Sequence, residues 1–306
     1  MESKQAKKLV NFLSNKNKVC QSLNLHMIIN RLDMGIYRPC SNFNTFEFSF
    51  ISPGNTIRLL HINFYKSRTL PELSEALKYR MDSIMGIFEF ANQKLGSKYD
   101  LKILRDAFLL AQDVLCPVQF GCEVDGSAAP IMKEYFSVID NKDCGYLIKE
   151  ISILLGINFQ KLEKEFISAR PLDTIGIDFL SNGRCNLKIY PYYQQPFNLS
   201  DIRKAYQRYR SSNDQFLEPF MAWIRQIPLR HIGFLCRVSK DSEIDSVKIW
   251  TRMEKSIPCD LLPPCKSLKS DRLQNWLNDS KNIIKSFELM ISYLTLENNN
   301  LGIYFR

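Results

Sequence analysis

Short runs of alternating hydrophobic and polar residues recur in pairs along this chain. In the first run, phenylalanines at positions 46, 48 and 50 alternate with polar residues. A period of two is typical of a β-strand with two unlike faces. A Ser-Pro-Gly-Asn turn follows this run, and Asn182-Gly183 divides a later pair, as expected of hairpins. The pattern predicts five pairs of strands: 45–50 with 56–65, 118–125 with 131–140, 174–180 with 185–193, 233–239 with 246–253, and 289–296 with 301–306.

Helical stretches separate these pairs. They are predicted at 70–96 and 99–115, at 145–155 and 159–168, at 200–210 and 214–226, and from 270 onward. The repeated order of two strands followed by helices predicts an α/β (α+β) fold: a ten-stranded antiparallel β-barrel of five hairpins inside a ring of helices. The 306 residues contain no linker rich in Pro, Gly or Ser, so we expect one domain spanning residues 1–306.

The alternation also predicts which side chains face the interior of the barrel. Outer helices would bury one strand face, and the alternate residues would then point inward. The outward set is Phe46, Phe48, Leu187, Ile189, Val247 and Ile249. The inward set is Glu47, Arg58, Lys133, Tyr135, Lys188, Tyr190, Lys248, Trp250, Arg252 and Tyr304. Because unpaired buried cations each cost several kcal/mol, an interior this polar predicts a cavity for a negatively charged ligand.

Composition narrows the function classes. The net charge of +9 is spread over short basic runs interleaved with acids, which favours solvated helix faces over a nucleic-acid-binding patch. The nine cysteines form no CxxC pair and only three histidines are present, so we expect no protein-bound metal and reduced thiols. With no signal-peptide cleavage pattern and no apolar run long enough for a membrane span, we expect a cytoplasmic monomer.

Missing motifs exclude several nucleotide and isoprenoid enzymes. The chain has no Walker A loop and no GxGxxG, the usual nucleotide signals. It also lacks a DDxxD motif, so the aspartate-rich Mg²⁺ chemistry of chain-elongating prenyl synthases is not expected.

Several short motifs together carry a resemblance to a known family. They are Gly-Ile-Asp-Phe at 176–179 followed by Asn182-Gly183, the Lys-Ile-Tyr of 188–190, the Thr-Ile-Arg of 56–58, the spacing from Lys133 to Asp140, and the Ile-Tyr-Phe-Arg of 303–306. A weak internal echo supports a repeat, since Gly-Cys-Glu-Val at 121–124 resembles 176–179. In these motifs and in the order of its hairpins and helices, the chain resembles the peptide prenyltransferases of cyanobactin biosynthesis, which have the ABBA or PT-barrel fold.

The resemblance implies an isoprenyl diphosphate donor, dimethylallyl or geranyl, and a cyclic or linear peptide acceptor. It implies Glu47 as the base or electrostatic partner of the acceptor. The diphosphate would be bound by Arg58, Lys133, Lys188, Tyr190 and Tyr304, with Lys248 added by strand parity alone. The prenyl and acceptor pocket would be lined by Tyr135, Tyr192, Leu235 and Trp250. Mg²⁺ would share the phosphate charge and be held mainly by phosphate and water.

The chain departs from the family pattern in two places. Ser137 stands where a second arginine is expected, and we expect Arg237 on a neighbouring strand to replace that charge. The prenyl-length gate aligns near Leu235, where an intermediate side chain gives dimethylallyl a weak preference over geranyl. Because the chain ends at Arg306, straight after the last strand, we also expect an open barrel end.

Other interpretations remain open at this point. The acceptor could be a free phenol or indole, as in other soluble enzymes of this barrel family, or the protein could be a basic nucleic-acid-binding module. Glu47 could simply pair with Arg58, and Lys133 and Lys188 would be exposed if the strand faces were reversed. Tyr190, Trp250 and Tyr304 could be ordinary core, and Glu123 and Asp178 are interpreted as structural.

Overall fold

Ten antiparallel strands close into a barrel in the computed structural model of the chain, as the alternation predicts. Each strand pairs with its neighbours in sequence, and β1 pairs with β10 to complete the ring. The strands are β1 Ser41–Ile51, β2 Thr56–Tyr65, β3 Val118–Val124, β4 Ile131–Ser137, β5 Leu172–Phe179, β6 Cys185–Tyr193, β7 Leu229–Val238, β8 Ile244–Ile257, β9 Ile291–Glu297 and β10 Asn300–Phe305. The structure describes residues 1–16, 25–34, 41–51, 56–65, 70–124, 130–138, 144–163, 171–193, 196–208, 217–240, 244–262, 271–297 and 300–305.

Helices precede the first hairpin, and the later helices lie in the sequence between the hairpins. Their bounds are α1 Ser3–Lys16, α2 Leu25–Met34, α3 Leu70–Leu95, α4 Leu101–Asp113, α5 Cys144–Leu154, α6 Phe159–Leu162, α7 Leu199–Arg208, α8 Leu217–Ile224 and α9 Asp271–Ser286, with a short 3₁₀ helix at Cys259–Leu261. The prediction of a helix between every two hairpins is confirmed. The parts predicted at 125, 139–140, 164–168, 209–210, 214–216, 270 and 306, and the turn at 52–55, lie outside the described residues.

Local sequence explains several of these boundaries. Helix α4 begins where the Asp100 side chain accepts hydrogen bonds from the backbone N–H groups of Lys102 and Ile103, each at 3.0 Å. The β5–β6 turn places Gly183 at a φ of +84°, a conformation that glycine adopts without strain. Strand β8 extends beyond the predicted 246–253 to Ile257, which pairs with Ile291 of β9 past a register shift.

The hydrophobic core lies between the barrel and the helices. The predicted outward set is buried there, each residue at 2% exposure or less. The ring of Phe88 on α3 packs edge-to-face against Phe179 of β5 and Phe120 of β3, with ring centroids 5.0 and 6.3 Å apart. Helix α3 therefore covers the strands that carry much of the inner polar set.

One polar group ties α3 to the barrel wall inside this core. The Arg80 guanidinium on α3 donates to the backbone oxygens of Val118 at 3.3 Å and His61 at 3.2 Å, and its Nη1 lies 2.5 Å from the Nδ1 of His61. Burial, and then the Arg80 charge, lower the pKa of His61 well below its ordinary value. His61 is therefore a neutral acceptor that satisfies a buried cation.

In the described part of the chain, no helix is both long enough and apolar enough to cross a membrane.

Candidate active site

Strand register places the predicted inward side chains on one face of the sheet. Residues that are direct partners across antiparallel strands share a face. One row of partners runs Gln119, Tyr135, Gly176, Lys188 and Arg237 across β3 to β7, and another runs Glu47, Leu60, Gly121, Lys133 and Asp178 across β1 to β5. The two rows therefore place Glu47, the aromatic side chain of Tyr135 and the cations on the face of the sheet that is turned toward the lumen. These cations are Lys133, Lys188 and Arg237.

Glu123 of β3 holds two of the lumen cations. Its carboxylate accepts the Arg58 Nε–H at 2.5 Å and also bonds the Lys133 ammonium. The side chains of Arg58 and Lys133 are only 13% and 4% exposed, so the alternative in which Lys133 faces solvent is wrong. Burial alone would raise the pKa of Glu123, but Arg58 and Lys133 hold it well below its usual range. This carboxylate is therefore ionised at neutral pH and keeps both cations charged.

A second carboxylate, Asp178 of β5, holds Lys188 of β6. The Lys188 Nζ lies 2.6 Å from Asp178 Oδ2, and both side chains are about 95% buried, so Lys188 also faces away from solvent. Burial lowers the pKa of Lys188 to about 7, and the charges of Lys133, Arg58 and Lys248 act in the same direction, against the opposing effect of Asp178. Lys188 therefore titrates near neutral pH, unlike Lys133 and Arg58, whose pKa values are raised.

The two ion pairs repeat one arrangement. Gly121 lies directly opposite Lys133, and Gly176 lies directly opposite Lys188. In each hairpin the acid stands two residues after the glycine, so the lysine reaches it along the cross-strand diagonal. The sequence echo of 121–124 and 176–179 is therefore a lysine-binding element used twice. Sequence reasoning left Glu123 and Asp178 out of the site, although this echo was the signal that could have included them.

Tyr304 and Lys248 extend the cationic cluster toward the closing strands. Arg58 Nη1 donates to the Tyr304 hydroxyl at 2.6 Å. Burial would raise the pKa of Tyr304, but Arg58, Lys248 and Lys133 together lower it below its ordinary value. Arg237 is the direct partner of Lys188 across β6 and β7, and Lys248 is the partner of Leu235 across β7 and β8. Among the described ion pairs of this cluster, the three buried cations Arg58, Lys133 and Lys188 share the two carboxylates Glu123 and Asp178, an arrangement that suits a polyanion such as a diphosphate.

A cavity of about 110 Å³ lies beside this cluster. Tyr304 connects the two, since its side chain lines the cavity and its hydroxyl bonds Arg58. The aromatic wall consists of Tyr135, Tyr190 and Trp250, with edge-to-face ring contacts of 6.2 Å between Tyr135 and Tyr190 and between Tyr190 and Trp250. The cavity is lined by Glu47, Leu60, Gln119, Tyr135, Asp173, Thr174, Tyr190, Leu235, Trp250, Thr295 and Tyr304.

Each predicted pocket residue has a definite place around this cavity. Glu47 lines it and is only 1% exposed, while its strand partner Leu60 lines it as well. Leu235 and Trp250 line it and pack together, and the Trp250 indole N–H donates to the Phe234 backbone oxygen at 3.0 Å. Tyr192 packs against Leu235 and Trp250 and lies beside the cavity rather than in its lining.

Polar lining residues that sequence reasoning missed mark the other side of the cavity. Asp173 accepts a hydrogen bond from Arg252 at 3.3 Å, and it lines the cavity with Thr174 and Gln119. Strand parity could have found Gln119, which alternates with Gly121 and Glu123 on the inner face of β3. Parity also places Thr174 inward, since it alternates with Gly176 and Asp178 on β5. Asp173 could not be placed this way, because the β5–β6 register shifts between Leu172 and Ile175.

The lumen carboxylates nearest the cations do not form a protein cage for Mg²⁺. Glu123 and Asp178 are each engaged by buried lysine or arginine groups, and no group of three or more His, Cys, Asp or Glu side chains that could hold a metal occurs among the described residues.

Comparison with solved structures identifies the fold. The 5-dimethylallyl tryptophan synthase of Streptomyces coelicolor, solved in complex with DMASPP and Trp, superimposes with a TM-score of 0.65 at 10% identity, covering 99% of this chain and 93% of that one. The apo form of the prenyltransferase PriB gives 0.62 at 13% identity, covering 99% and 95%. A 6-dimethylallyl tryptophan synthase gives 0.63 at 13% identity, covering 87% and 81%.

This chain has the ABBA prenyltransferase barrel fold. At such low identity the similarity establishes the fold alone, and the chemistry must be argued from the lumen. No family model matches the sequence, and no curated protein matches it.

Proposed function

We propose that this protein is a prenyltransferase that moves an isoprenyl group, preferentially dimethylallyl, from its diphosphate onto an acceptor in the barrel lumen. The observation that carries the proposal is the junction at Tyr304. On one side lies a buried cluster of cations, and on the other lies an aromatic cavity that contains Glu47. An isoprenyl diphosphate has the matching composition, because it joins a charged diphosphate to a hydrophobic chain.

The reaction divides between these two regions. The C–O bond of the allylic diphosphate breaks, and both bonding electrons leave with the pyrophosphate. Arg58, Lys133, Lys188, Arg237 and Lys248 stabilise the charge that develops on it, and the Tyr304 hydroxyl donates a hydrogen bond. Because Arg58, Lys133 and Lys188 are held by ion pairs before the donor binds, these three cations need little reorganisation as the bond breaks.

The aromatic wall serves the other product of ionisation, the allyl cation. Tyr135, Tyr190 and Trp250 surround the space next to the cationic cluster, and their π-faces stabilise a carbocation by about 0.5–2 kcal/mol each. Burial raises the pKa of both Tyr135 and Tyr190, so these phenols stay neutral and do not trap the cation as phenolates. An acceptor atom then supplies the electron pair for the new bond, and Glu47 accepts the proton released.

We further propose that the acceptor is an amino-acid side chain of a ribosomally made cyclic peptide, as the sequence resemblance implies. The polar lining residues support a peptide, since Gln119, Thr174 and Asp173 line the same cavity as Glu47 and offer hydrogen-bonding groups. A free indole is the second candidate, because tryptophan appears with solved neighbours of the same fold. The inward orientation of Arg58, Lys133 and Lys188 argues against a nucleic-acid-binding function, which requires such groups at the surface.

The deciding experiment offers both donors and both acceptor classes. The protein is incubated with dimethylallyl or geranyl diphosphate, Mg²⁺, and either cyclic peptides, linear peptides or free tryptophan, and products are measured by mass spectrometry. We expect a prenyl mass gain on a cyclic peptide that falls at least about a hundredfold in Glu47→Gln, the scale of losing a general base. The control is Glu254→Gln, an exposed carboxylate on β8. A prenyl mass gain on tryptophan alone would indicate an enzyme that acts on small molecules. The absence of a mass gain on every acceptor would contradict the proposal.

A further inference from the structure

Tyr135 lies flat against the barrel wall because the two strands beside it carry glycine. A Cβ atom added to Gly176 of β5 would lie 2.9 Å from Cδ1 and 3.2 Å from Cε1 of Tyr135. A Cβ atom added to Gly121 of β3 would lie 3.0 Å from Cε2 on the other edge of the same ring. Carbon atoms in contact are ordinarily about 3.5–4.0 Å apart, so a methyl group at either position displaces the ring.

These glycines are the first residues of the repeated Gly-x-acid element described above. The acid of each copy, Glu123 or Asp178, binds a lysine of the cationic cluster. The glycines make no such contact. An added Cβ at Gly121 would also lie 3.3 Å from the Cβ of Lys133, but at Gly176 no lysine atom is among the three nearest, so the opposite lysine does not account for both glycines. The Tyr135 ring, which occupies the space above both, provides that explanation.

The displaced ring would enter the cavity. At Gly176, the backbone oxygen of Glu134 lies 3.4 Å from the added Cβ and belongs to a fixed strand pair, whereas the Tyr135 ring is a side chain that can move. On its other side Tyr135 lines the cavity next to Tyr190. Because Tyr135 forms part of the cavity lining, an inward movement of its ring takes space that a hydrocarbon chain would occupy.

We propose that Gly121 and Gly176 are specificity-determining residues, which set the room for the donor's prenyl chain by holding Tyr135 against the barrel wall. The proposal rests on the proposed prenyl transfer and adds a determinant of donor length distinct from Leu235, which lines the cavity from β7. A longer donor needs the space that the two glycines create, and a shorter one needs less of it. The group whose position changes when either glycine is substituted is the Tyr135 ring.

The test compares the binding of two unreactive donor analogues, the S-thiolodiphosphates of dimethylallyl and geranyl alcohols, by calorimetry. In Gly176→Ala, the ratio of the geranyl to the dimethylallyl dissociation constant is expected to rise about tenfold or more, since one methylene in a hydrophobic pocket discriminates by about 10–200-fold. Gly121→Ala, which meets the ring at a slightly longer distance, is expected to shift the ratio in the same direction. Gly121→Ala therefore also tests the proposal if Gly176→Ala does not fold.

A double-mutant cycle separates this effect from general damage to the barrel. In a Tyr135→Ala background the ring is gone, so adding Gly176→Ala should leave the ratio unchanged. The control is Gly145→Ala on α5, where nothing lies within 4 Å of the added Cβ. An unchanged ratio in both folded glycine variants, or the same shift with and without the Tyr135 ring, would overturn the inference. If the unmodified protein binds neither analogue and transfers neither prenyl group, the proposed function itself fails.

Discussion

Arg58 and Tyr304 are 246 residues apart in the chain, yet the Arg58 guanidinium donates a 2.6 Å hydrogen bond to the Tyr304 hydroxyl inside the barrel. The contact joins the first hairpin to the last, because Ser49 of β1 is the direct partner of both residues. It also brings a phenol with a lowered pKa to the boundary between the cationic cluster and the aromatic cavity.

Replacing this phenol tests its role as a donor to the leaving group. In Tyr304→Phe, we expect kcat/KM for the donor to fall about 10–100-fold, because a hydrogen bond to a charged group contributes about 1.5–3 kcal/mol. The measurement is steady-state prenyl transfer. The matched control is Tyr146→Phe, which removes a hydroxyl from an exposed tyrosine on α5. Unchanged kinetics in Tyr304→Phe would show that the hydroxyl does not contact the diphosphate.

Glu123→Gln tests the ion pairs at the level of stability. Loss of this carboxylate leaves Arg58 and Lys133 buried without their shared anion, so we expect the free energy of unfolding to fall by about 3–5 kcal/mol. Urea denaturation measures the change. Glu218→Gln, which breaks the exposed pair with Arg203, should cost less than about 1 kcal/mol. A donor diphosphate should stabilise Glu123→Gln more than it stabilises the unmodified protein, because it replaces the missing negative charge. Equal stabilisation of both would contradict this placement of the diphosphate.

Donor affinity should depend on pH through Lys188. Since the pKa of this ammonium is about 7 in the free protein, it loses its charge as the pH rises above 7, and a bound diphosphate must then restore the proton. We expect the dissociation constant for the donor analogue to rise up to about tenfold per pH unit between 7 and 9, as linkage requires. Calorimetry in buffers of different ionisation enthalpy should detect proton uptake on binding.

Lys188→Arg is the control for that pH dependence, because arginine stays charged throughout the range. Its affinity profile should be flat above pH 7, and a profile as steep as that of the unmodified protein would assign the titration to another group. The free energy of unfolding should move in the opposite direction. Between pH 7 and the unfolded-state pKa of 10.5, the unfolded chain binds more protons at this residue, so Lys188 makes the protein more stable as the pH rises.

Arg237→Ala tests whether this residue supplies the charge that Ser137 lacks. We expect the KM for the donor to rise about tenfold with a smaller change in kcat, because Arg237 lies opposite Lys188 and acts on the bound diphosphate. Arg230→Ala removes an exposed arginine from the same strand and should leave KM unchanged. An unaltered donor KM in Arg237→Ala would rule out the compensation.

Mg²⁺ should bind with the donor rather than before it. Since Glu123 and Asp178 are engaged by cations, we expect no tight Mg²⁺ binding to the protein alone and measurable binding in the presence of the thiolodiphosphate analogue. Removing Mg²⁺ with EDTA should lower the rate of transfer. Tight binding of Mg²⁺ to the protein without the analogue would point to carboxylate ligands that this arrangement does not provide.

The alternation of side chains was enough to predict the barrel and the face that each strand turns inward. Phe46 and Phe48 lie in the outer core and Glu47 lines the cavity, because a period of two leaves no other arrangement once one face is buried. The same reasoning placed Lys133, Tyr135 and Lys188 in the lumen correctly.

Partner choice inside the lumen could not be predicted in this way. Whether Lys133 meets Glu123 depends on the register of β3 against β4, and alternation is the same for every register that differs by two residues. The expectation that the cations needed a ligand to neutralise them was therefore incomplete, because Glu123 and Asp178 already bind three of them. Asp173 was not predicted for a related reason, since the register of β5 against β6 shifts between Leu172 and Ile175 and interrupts the alternation there.

Closure of the barrel by β1 and β10 has a kinetic consequence. The hairpin that carries Arg58 and the strand that carries Tyr304 come together in one long-range event, which is the slowest kind of contact for a chain to find. Until that event, the partly assembled sheet has two open edges, at which other copies of the chain can add. A diphosphate bound by both residues, as proposed above, requires the closed ring, so by mass action it should favour the closed barrel over the state with open sheet edges.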